Sequence, residues 1–511
     1  HLDRATGASR IDIRAATVES SLRFADTFQA HEEAPKVLSA AADDLYDMQD
    51  FARAIESSEK LIARYPGTDP ELLRGAWGVV AHSSMDTAEY AYAENAYTNL
   101  LALTPEEDEA RPNVVDGLAA SIYKQGEQSN LLEDYAAAAD HFLRIKRLAP
   151  TSAIRSSAEY DAAAAFMKLE DWTRASDTLE EFRGSHPEHE LNSEATKQLA
   201  YIYREDGQIE RSAVEHERIA AEATDPELAR EALLTAGELY DEVEVLDAAV
   251  RVYEEYVVLY PRPLDLMMET RTRLAEIYKS QSDYARYYDA LQMIVQEDGA
   301  SGPDRTDRSR FLASKAALVL AEQTYERFAR LELTLPFEES LAEKQSRMDE
   351  AMTAFEALVD YQVADVTAAA TYFIAETYLN FSRSLMTSER PDGLTKAELF
   401  DYEMILEEEA YPFEERAIEV HQENFELLRA GVFNNYVEDS LGQLTELMPG
   451  RYARNEISGG LVGTLDLYAY RKPNAPPEII EITLDAAVQD EATDPVAEET
   501  RAPAAMATDP N

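Results

Sequence analysis

The sequence predicts an all-α chain, a right-handed solenoid of helical hairpins, and three observations carry that expectation. Glycine is scarce, 18 in 511 residues, and the chain is rich in Ala, Glu, Leu and Tyr, which favour helices over sheets. A frame made of an aromatic residue, a small residue, two apolar positions and a closing Pro recurs along the chain. The step Thr-Asp-Pro-Glu-Leu occurs at Thr68–Leu72 and again at Thr224–Leu228. That step is a helix start. Thr or Asp caps free backbone N–H groups, Pro suits the first turn, and Glu suits the positive end of the helix dipole. An apolar run ends just upstream of both copies, so the step reads as a seam between repeated units.

Residues 1–33 read as an N-terminal helix or the remnant of a longer array, and His1 in place of Met reads as a processed or trimmed start. The frame then begins with Phe51, Ala54, Leu61 and Pro66. It returns as Tyr90, Ala93, Tyr97, Leu100 and Pro105, and as Tyr135, Ala138, Phe142, Ile145 and Pro150. Two further copies are Trp172, Ala175, Leu179, Phe182, Pro187 and Leu246, Ala249, Tyr253, Tyr256, Pro261. A second helical run precedes each copy and ends in related words, SIYK at Ser121–Lys124, YIYR at Tyr201–Arg204 and EIYK at Glu276–Lys279. Gly237 followed by Tyr240 gives a small residue that admits a close helix and an aromatic that fills the gap beside it. The unit is helix, turn, helix, Pro stop, about 34 residues long.

This pattern resembles the tetratricopeptide repeat. Trp77, Ala81, Ala93, Tyr97 and Pro105 match five of its positions in one copy. The resemblance covers residues 34–299 as seven units. The third carries about six extra residues between Tyr123 and Tyr135, expected as a bulging turn. The fifth has Ser212 at the small position and runs on to Pro226. The seventh has Tyr287 there and is expected to end on Gly299.

The stretch Glu297–Arg310 reads as a loop, after which residues 300–450 read as elongated, degenerate repeats and a capping helix. Ala351, Phe355 and Leu358 share a face there, Ala375 and Tyr378 repeat the small-to-Tyr step, and a helix opening near Pro412 meets a glycine stop at Gly431. Residues 451–475 lose the period and alternate weakly, as a short strand would. From Pro476 to Asn511 nine acidic residues face only Arg501, and this tail is expected to be disordered.

The formal charge is −53, from 100 acidic and 47 basic residues, a field that repels nucleic-acid phosphates and anionic lipid. Acidity is also an ordinary means of keeping a large helical surface soluble. No cysteine is present, which excludes disulfides, thiolate metal sites and cysteine nucleophiles and fits a periplasmic or secreted protein. No run approaches the ~18 apolar residues of a membrane span, so membrane insertion by this segment is not expected. Phosphate loops, dinucleotide fingerprints, serine elbows and HExxH pairs are missing from the sequence. His186, His189 and Glu190 put three potential metal ligands in five residues, but beside a Pro stop they read as a polar inter-repeat loop, and His31 has no second His. Acidic pairs such as Glu180 and Glu181 are too common to single out a catalytic pair. No catalytic residue, metal or cofactor is assigned.

In tetratricopeptide arrays the first helices line the inner, concave wall, and that resemblance places Tyr46, His82, Lys124, Tyr160, Lys168, Tyr201, Arg204 and Lys279 there as candidate partner-binding residues. Lys124, Arg204 and Lys279 each follow a Tyr at the end of a first helix, with Lys168 just beyond that place in its own unit. A cation ladder would receive carboxylates of a partner peptide. The competing reading is that cations favour helix C-termini through the dipole.

The end, FNNYVEDSLGQLTELMPGRYARNE, resembles the C-terminal part of large bacterial envelope tetratricopeptide proteins that accompany Tol/Exb-type motors or gliding machinery. The shared feature is a helix of about 24 residues closing on Pro449 and Arg451-Tyr452. The resemblance implies a periplasmic or envelope-associated, non-enzymatic scaffold that joins protein partners, with motor or assembly components among them. The alternative is an enzyme or small-ligand protein with its site in the 297–411 insertions on a repeat frame. An open continuous groove favours the scaffold, and a pocket with convergent polar groups in the insertions favours the alternative.

Overall fold

The computed structural model describes residues 8–453, and among these are 21 α-helices and no strand. Of the irregular segment expected at 451–475, residues 454–475 lie outside the described residues, as does the tail 476–511, and Arg451 and Tyr452 are helical. The chain divides into two compact units, residues 1–447 and 448–511.

In the first unit, α1 (Ala8–Thr27) precedes seven consecutive hairpins. These are α2 (Ala34–Asp47) with α3 (Phe51–Arg64), α4 (Pro70–Asp86) with α5 (Tyr90–Leu103), and α6 (Arg111–Leu131) with α7 (Tyr135–Leu148). Next come α8 (Ile154–Lys168) with α9 (Trp172–Ser185), and α10 (Asn192–Glu205) with α11 (Ile209–Glu222). Then follow α12 (Pro226–Glu242) with α13 (Leu246–Leu259), and α14 (Leu264–Ser280) with α15 (Tyr284–Ala300). Longer helices continue as α16 (Asp307–Ala329), α17 (Phe337–Val359), α18 (Ala364–Thr387) and α19 (Lys396–Glu426), then α20 (Asn435–Leu447). Each helix packs on its chain neighbours, and first helices also meet across hairpins, as α6 does α8 and α14 does α16. This is the all-α helical-hairpin solenoid the repeats predict. In the second unit, Pro449–Tyr452 form the single turn α21.

One local device builds all seven hairpin turns. The residue two places before each second helix has a left-handed backbone: Gln49, Ala88, Glu133, Glu170, Gly207, Glu244 and Ser282. The next N–H then bonds back five residues, as Asp171 N–H does to Phe166 O at 3.0 Å and Val245 N–H to Tyr240 O at 2.9 Å. That satisfies carbonyls the first helix leaves open. At Asp50, Asp134, Asp171 and Asp283 the same residue then caps the second helix through its carboxylate. At the seams, Asp69 and Asp225 accept the N–H of Glu71 and Glu227, with Pro70 and Pro226 as first helical residues.

The core runs along the hairpins. Ala81, Ala93, Ala138, Ala175 and Ala249 are fully buried, and Tyr97, Phe142, Tyr240 and Tyr253 nearly so, while Trp77 is half-buried and Pro105 and Pro261 are exposed stops. Burying one such large side chain stabilises by about 1.5–3 kcal/mol. Gly237 is required by close approach: a Cβ there would lie 2.5 Å from the Tyr253 ring.

Several expectations need correction. Second helices α7, α9, α11, α13 and α15 start 37, 37, 37 and 38 residues apart, so the unit is longer than about 34. The extra residues of the third unit do not bulge the turn. They lengthen α6 to 21 residues, because nothing in KQGEQSN stops a helix: Gly126 sits against the Phe142 ring as Gly237 does against Tyr253. Helix α15 continues through Gly299, and the expected loop shrinks to residues 301–306. There buried Asp298 accepts from Ser309 Oγ (2.8 Å) and pairs with Arg305 (2.7 Å). Pro412 lies inside the 31-residue α19 and opens no helix, since its exposed side leaves the unpaired carbonyl to water. The closing helix is shorter than about 24 residues. α20 stops at Leu447 because Pro449 forces Met448 out of helical geometry (φ −130°, ψ 62°).

Candidate functional site

The first helices α2 to α14 form one wall, and each expected binding residue lies on them. Many are already engaged. The Tyr46 hydroxyl donates to Asp86 (3.1 Å), with its ring 6.2 Å from His82, and His82 Nδ1 meets the Tyr97 hydroxyl at 3.1 Å. Tyr160 accepts from Gln198 (2.5 Å), and its neighbour Tyr123 donates to Asp161. Burial pushes the Asp161 carboxyl above its ordinary value, with Tyr123 opposing. The Tyr46, Tyr160 and Tyr123 bonds join one repeat to the next and His82–Tyr97 closes its own hairpin, so this part of the wall is largely self-satisfied.

The cation ladder is corrected by the register. Arg204 and Lys279 each stand five residues before the next helix, at Ile209 and Tyr284, but Lys124 stands eleven before Tyr135. Lys124 pairs with Glu127 one turn on (2.5 Å), which is what the lengthened α6 makes available. Arg204 and Lys168 are exposed with no ion pair among the described residues. Lys279 lies 5.5 Å over the Tyr287 ring. Tyr201 is half exposed, edge-on to Trp172 at 6.1 Å.

What the wall does offer is three successive grooves between first helices, each floored by the second helix below. Between α10 and α12 a groove of about 370 Å³ is lined by Lys197, Tyr201, Arg204, Leu228 and Thr235 over His216 and Ile219. Between α12 and α14 one of about 320 Å³ has Glu238, Asp241, Glu269 and Arg273 over Tyr253. Arg273 is spent on Asp241 and Glu276, both at 2.6 Å, which leaves this groove acidic. Burial there raises the Glu238 carboxyl. Between α14 and α16 a third, about 220 Å³, places Lys279 and Lys315 beside Leu291, Ile294 and Leu312. With Glu231 also lining the first groove and Glu276 the third, cations outnumber acids in the first, acids outnumber cations in the second, and cations prevail again in the third, one hairpin per step. Lys197, His216 and Lys315 were not anticipated, because groove membership depends on the neighbouring repeat.

A second feature also escaped the sequence reading. At three consecutive seams a first-helix tyrosine donates to a glutamate of the preceding second helix: Tyr203 to Glu180 (2.6 Å), Tyr240 to Glu217 (2.7 Å), Tyr278 to Glu254 (2.6 Å). Arg211, Arg251 and Arg286 approach the same carboxylates at 2.6, 2.8 and 3.9 Å. Arg211 and Arg286 also stack on Tyr203 and Tyr278 at 4.1 and 4.6 Å. Burial, then the glutamate bond, pushes all three phenols up. Burial would raise Glu217, but Arg251 and Tyr240 hold it below its ordinary value. Glu180, Glu217 and Glu254 recur every 37 residues, a signal visible in the sequence once the period is known.

Outside the wall, His186 Nε2 meets Glu159 at 3.0 Å and His189 Nδ1 accepts from Leu191 N–H at 3.2 Å. Among the described residues no group of three potential ligands is gathered for a metal. In the 297–411 region a cleft of about 650 Å³ is lined by Glu332, Thr334, Asn380, Arg383, Ser384 and Thr387. Beneath it Lys344 is fully buried, and burial pulls its pKa to about 8. Its three protons go to Phe328 O (3.1 Å), Leu331 O (2.8 Å) and Asn380 Oδ1 (2.9 Å). It closes the open carbonyl end of α16 and has no free lone pair facing the cleft. Among the described residues no helix is long and apolar enough to cross a membrane.

No protein-family model and no curated protein matches the chain. Among solved structures, it is similar to PilW, a type IV pilus biogenesis factor, at 15% identity over 45% of this chain and 96% of that one (TM-score 0.21). A tetratricopeptide repeat protein from Parabacteroides merdae gives 14% identity over 50% and 96% (TM-score 0.20). The Naa15/Naa10 complex bound to HypK-THB gives 14% over 86% and 79% (TM-score 0.29).

Proposed function

We propose that this protein is a non-enzymatic scaffold that holds a protein or peptide partner along the wall of its first helices, within a multi-protein assembly of the bacterial cell envelope. The observation that carries the reading is the row of three grooves from α10 to α16, in hairpin register and alternating in charge. An extended chain rises ~3.3 Å per residue, so a peptide of modest length spans several grooves and meets each with a different side chain. Arg204, Lys279 and Lys315 have no competing carboxylate at ion-pair distance and would receive acidic groups of that peptide. The envelope setting is supported by the absence of cysteine and by the resemblance of the closing segment to envelope proteins.

The test places a photo-crosslinking residue at Tyr201, with the exposed Val214 on second helix α11 as control. A protein partner captured from the envelope fraction at position 201, and lost in Arg204→Glu/Lys279→Glu/Lys315→Glu, supports the scaffold. Capture only at 214, or capture indifferent to the triple variant, refutes it.

A second reading rests on the cleft of about 650 Å³ beside Arg383, whose convergent polar side chains support a ligand or enzyme site in the insertions. Screening polar metabolites against the wild type and Arg383→Gln separates the two: a small ligand lost in that variant favours the cleft.

A further inference from the structure

On the opposite side of the hairpins from the grooves above, α13 and α15 flank a further groove of about 340 Å³, floored by α14. Val257, Val258, Leu274, Ala290 and Met293 make it apolar, with Val258 76% and Met293 49% exposed. Arg271 of α14 opens into it.

Register shows why Arg271 is unusual. It stands four residues before the small position of its first helix, Ala275. The same place holds Leu38, Trp77, Ile122 and Leu233 in four other hairpins, where an apolar side chain needs no answer. Where the place is polar, the protein answers it. Glu159 receives Arg155 (2.8 Å) and His186 (3.0 Å), and Thr196 donates to Asn192 O (3.0 Å) and meets Arg183 (3.4 Å). Arg271 is answered only by the sulfur of Met293 (2.9 Å), and its Nε is buried without a partner. Among the described residues it is the partly buried guanidinium that has neither a carboxylate nor an oxygen acceptor, in a chain with twice as many acids as bases. A guanidinium cannot shed its charge, and the Glu297 carboxylate acts on it only from beyond ion-pair distance, so part of the desolvation stays uncompensated until an anion arrives.

We propose that this groove is a binding site for an apolar monocarboxylate: the carboxylate pairs with Arg271, and the aliphatic chain lies over Val257, Val258, Leu274 and Met293. Methionine is suited to such a wall, since its unbranched side chain adapts to the ligand. The other charges of the groove select a single negative charge. Glu254 is committed to Tyr278 and Arg286, while Asp289 stands free at the edge and would repel a dianion. Burial also pushes the Arg271 guanidinium below its usual pKa, the mark of a cation short of partners. The site is separate from the partner wall and stands whether or not the scaffold reading does.

The probe is octanoate, titrated calorimetrically into the full chain, with octanamide as its neutral analogue. Octanoate is expected to bind at least tenfold tighter than octanamide. Arg271→Gln should abolish that preference while leaving octanamide binding and helix content unchanged. Arg271→Lys should keep part of the preference, and Asp289→Asn should tighten octanoate. A short peptide ending in leucine, with free or amidated C-terminus, distinguishes the source: the free form binding tighter than octanoate assigns the site to chain ends, and weaker binding assigns it to free carboxylic acids. Equal affinity for octanoate and octanamide, octanoate binding unchanged in Arg271→Gln, or no binding at millimolar octanoate overturns the proposal.

Discussion

Tyr240→Phe tests the seam between the fifth and sixth hairpins without changing shape. The substitution removes one hydroxyl, which donates to Glu217 at 2.7 Å from a ring only 4% exposed. Hydrogen bonds to a charged group contribute about 1.5–3 kcal/mol. Glu217 is a quarter exposed and keeps Arg251 through two bonds of 2.8 Å, so water and the arginine recover part of the loss. The expected cost is therefore about 1–2 kcal/mol. The pH dependence has a fixed sign. Glu217 is held below its unfolded value, so its stabilisation is present above that value and fades as pH falls through the lower folded one. Losing Tyr240 removes one of the two groups that lower it. The difference between wild type and variant should thus be full near neutrality and shrink on acidification below about pH 4. Urea unfolding at neutral and acid pH gives the magnitude, and hydrogen exchange read by mass spectrometry gives the location. In a solenoid the loss should appear first in α11, α12 and α13. A cost under about 0.3 kcal/mol, or a loss of protection spread evenly along the chain, would refute the seam argument.

Three further outcomes follow from the same geometry. Gly237→Ala should destabilise by about 1–3 kcal/mol in chemical denaturation, because its new Cβ meets a fully packed Tyr253 ring, whereas Gly184→Ala meets open space and should not. In the hairpin turns, Ala88→Gly should stabilise and Gly207→Ala destabilise by roughly 1 kcal/mol, read by calorimetry, since both positions are left-handed (φ 62° and 73°). Lys344→Met should remove the donor to Leu331 O, while Phe328 O keeps Leu331 N–H (3.1 Å) and Asn380 Oδ1 keeps Ser384 Oγ (3.4 Å), and cost about 1–3 kcal/mol near neutral pH. Because Lys344 titrates near 8 when folded and near 10.5 when unfolded, wild-type stability should gain as pH rises between those values, and the variant should lose that gain.

The hairpins themselves were legible in the sequence because their causes are local. A Pro stop, an Asp cap, and a small residue one hairpin away from an aromatic act within about forty residues, so period and composition suffice to place α2 to α15. The same locality explains the failures. An insertion in the third repeat is invisible to a reader who expects turns to absorb length. Only Phe142 packed on Gly126 shows that the helix grew, and this moves Lys124 out of the cation row and onto Glu127. Pro412 looks like a boundary, yet inside α19 its missing bond faces water.

The candidate sites depend on contacts between repeats, which no single copy encodes. Lys197, His216 and Lys315 join a groove only when the next first helix arrives, and the tyrosine–glutamate seams pair residues 23 or 24 positions apart in the chain. Arg271 is the extreme case. In the sequence it is one arginine among many, and its counterparts Glu159 and Thr196 at the same register are separated from it by whole hairpins. Local chemistry alone determined that this chain folds as stacked hairpins. Which charges are answered and which are left waiting was decided by packing, because an ion pair is a property of distance in space, and the side chains that meet in a groove come from three different helices.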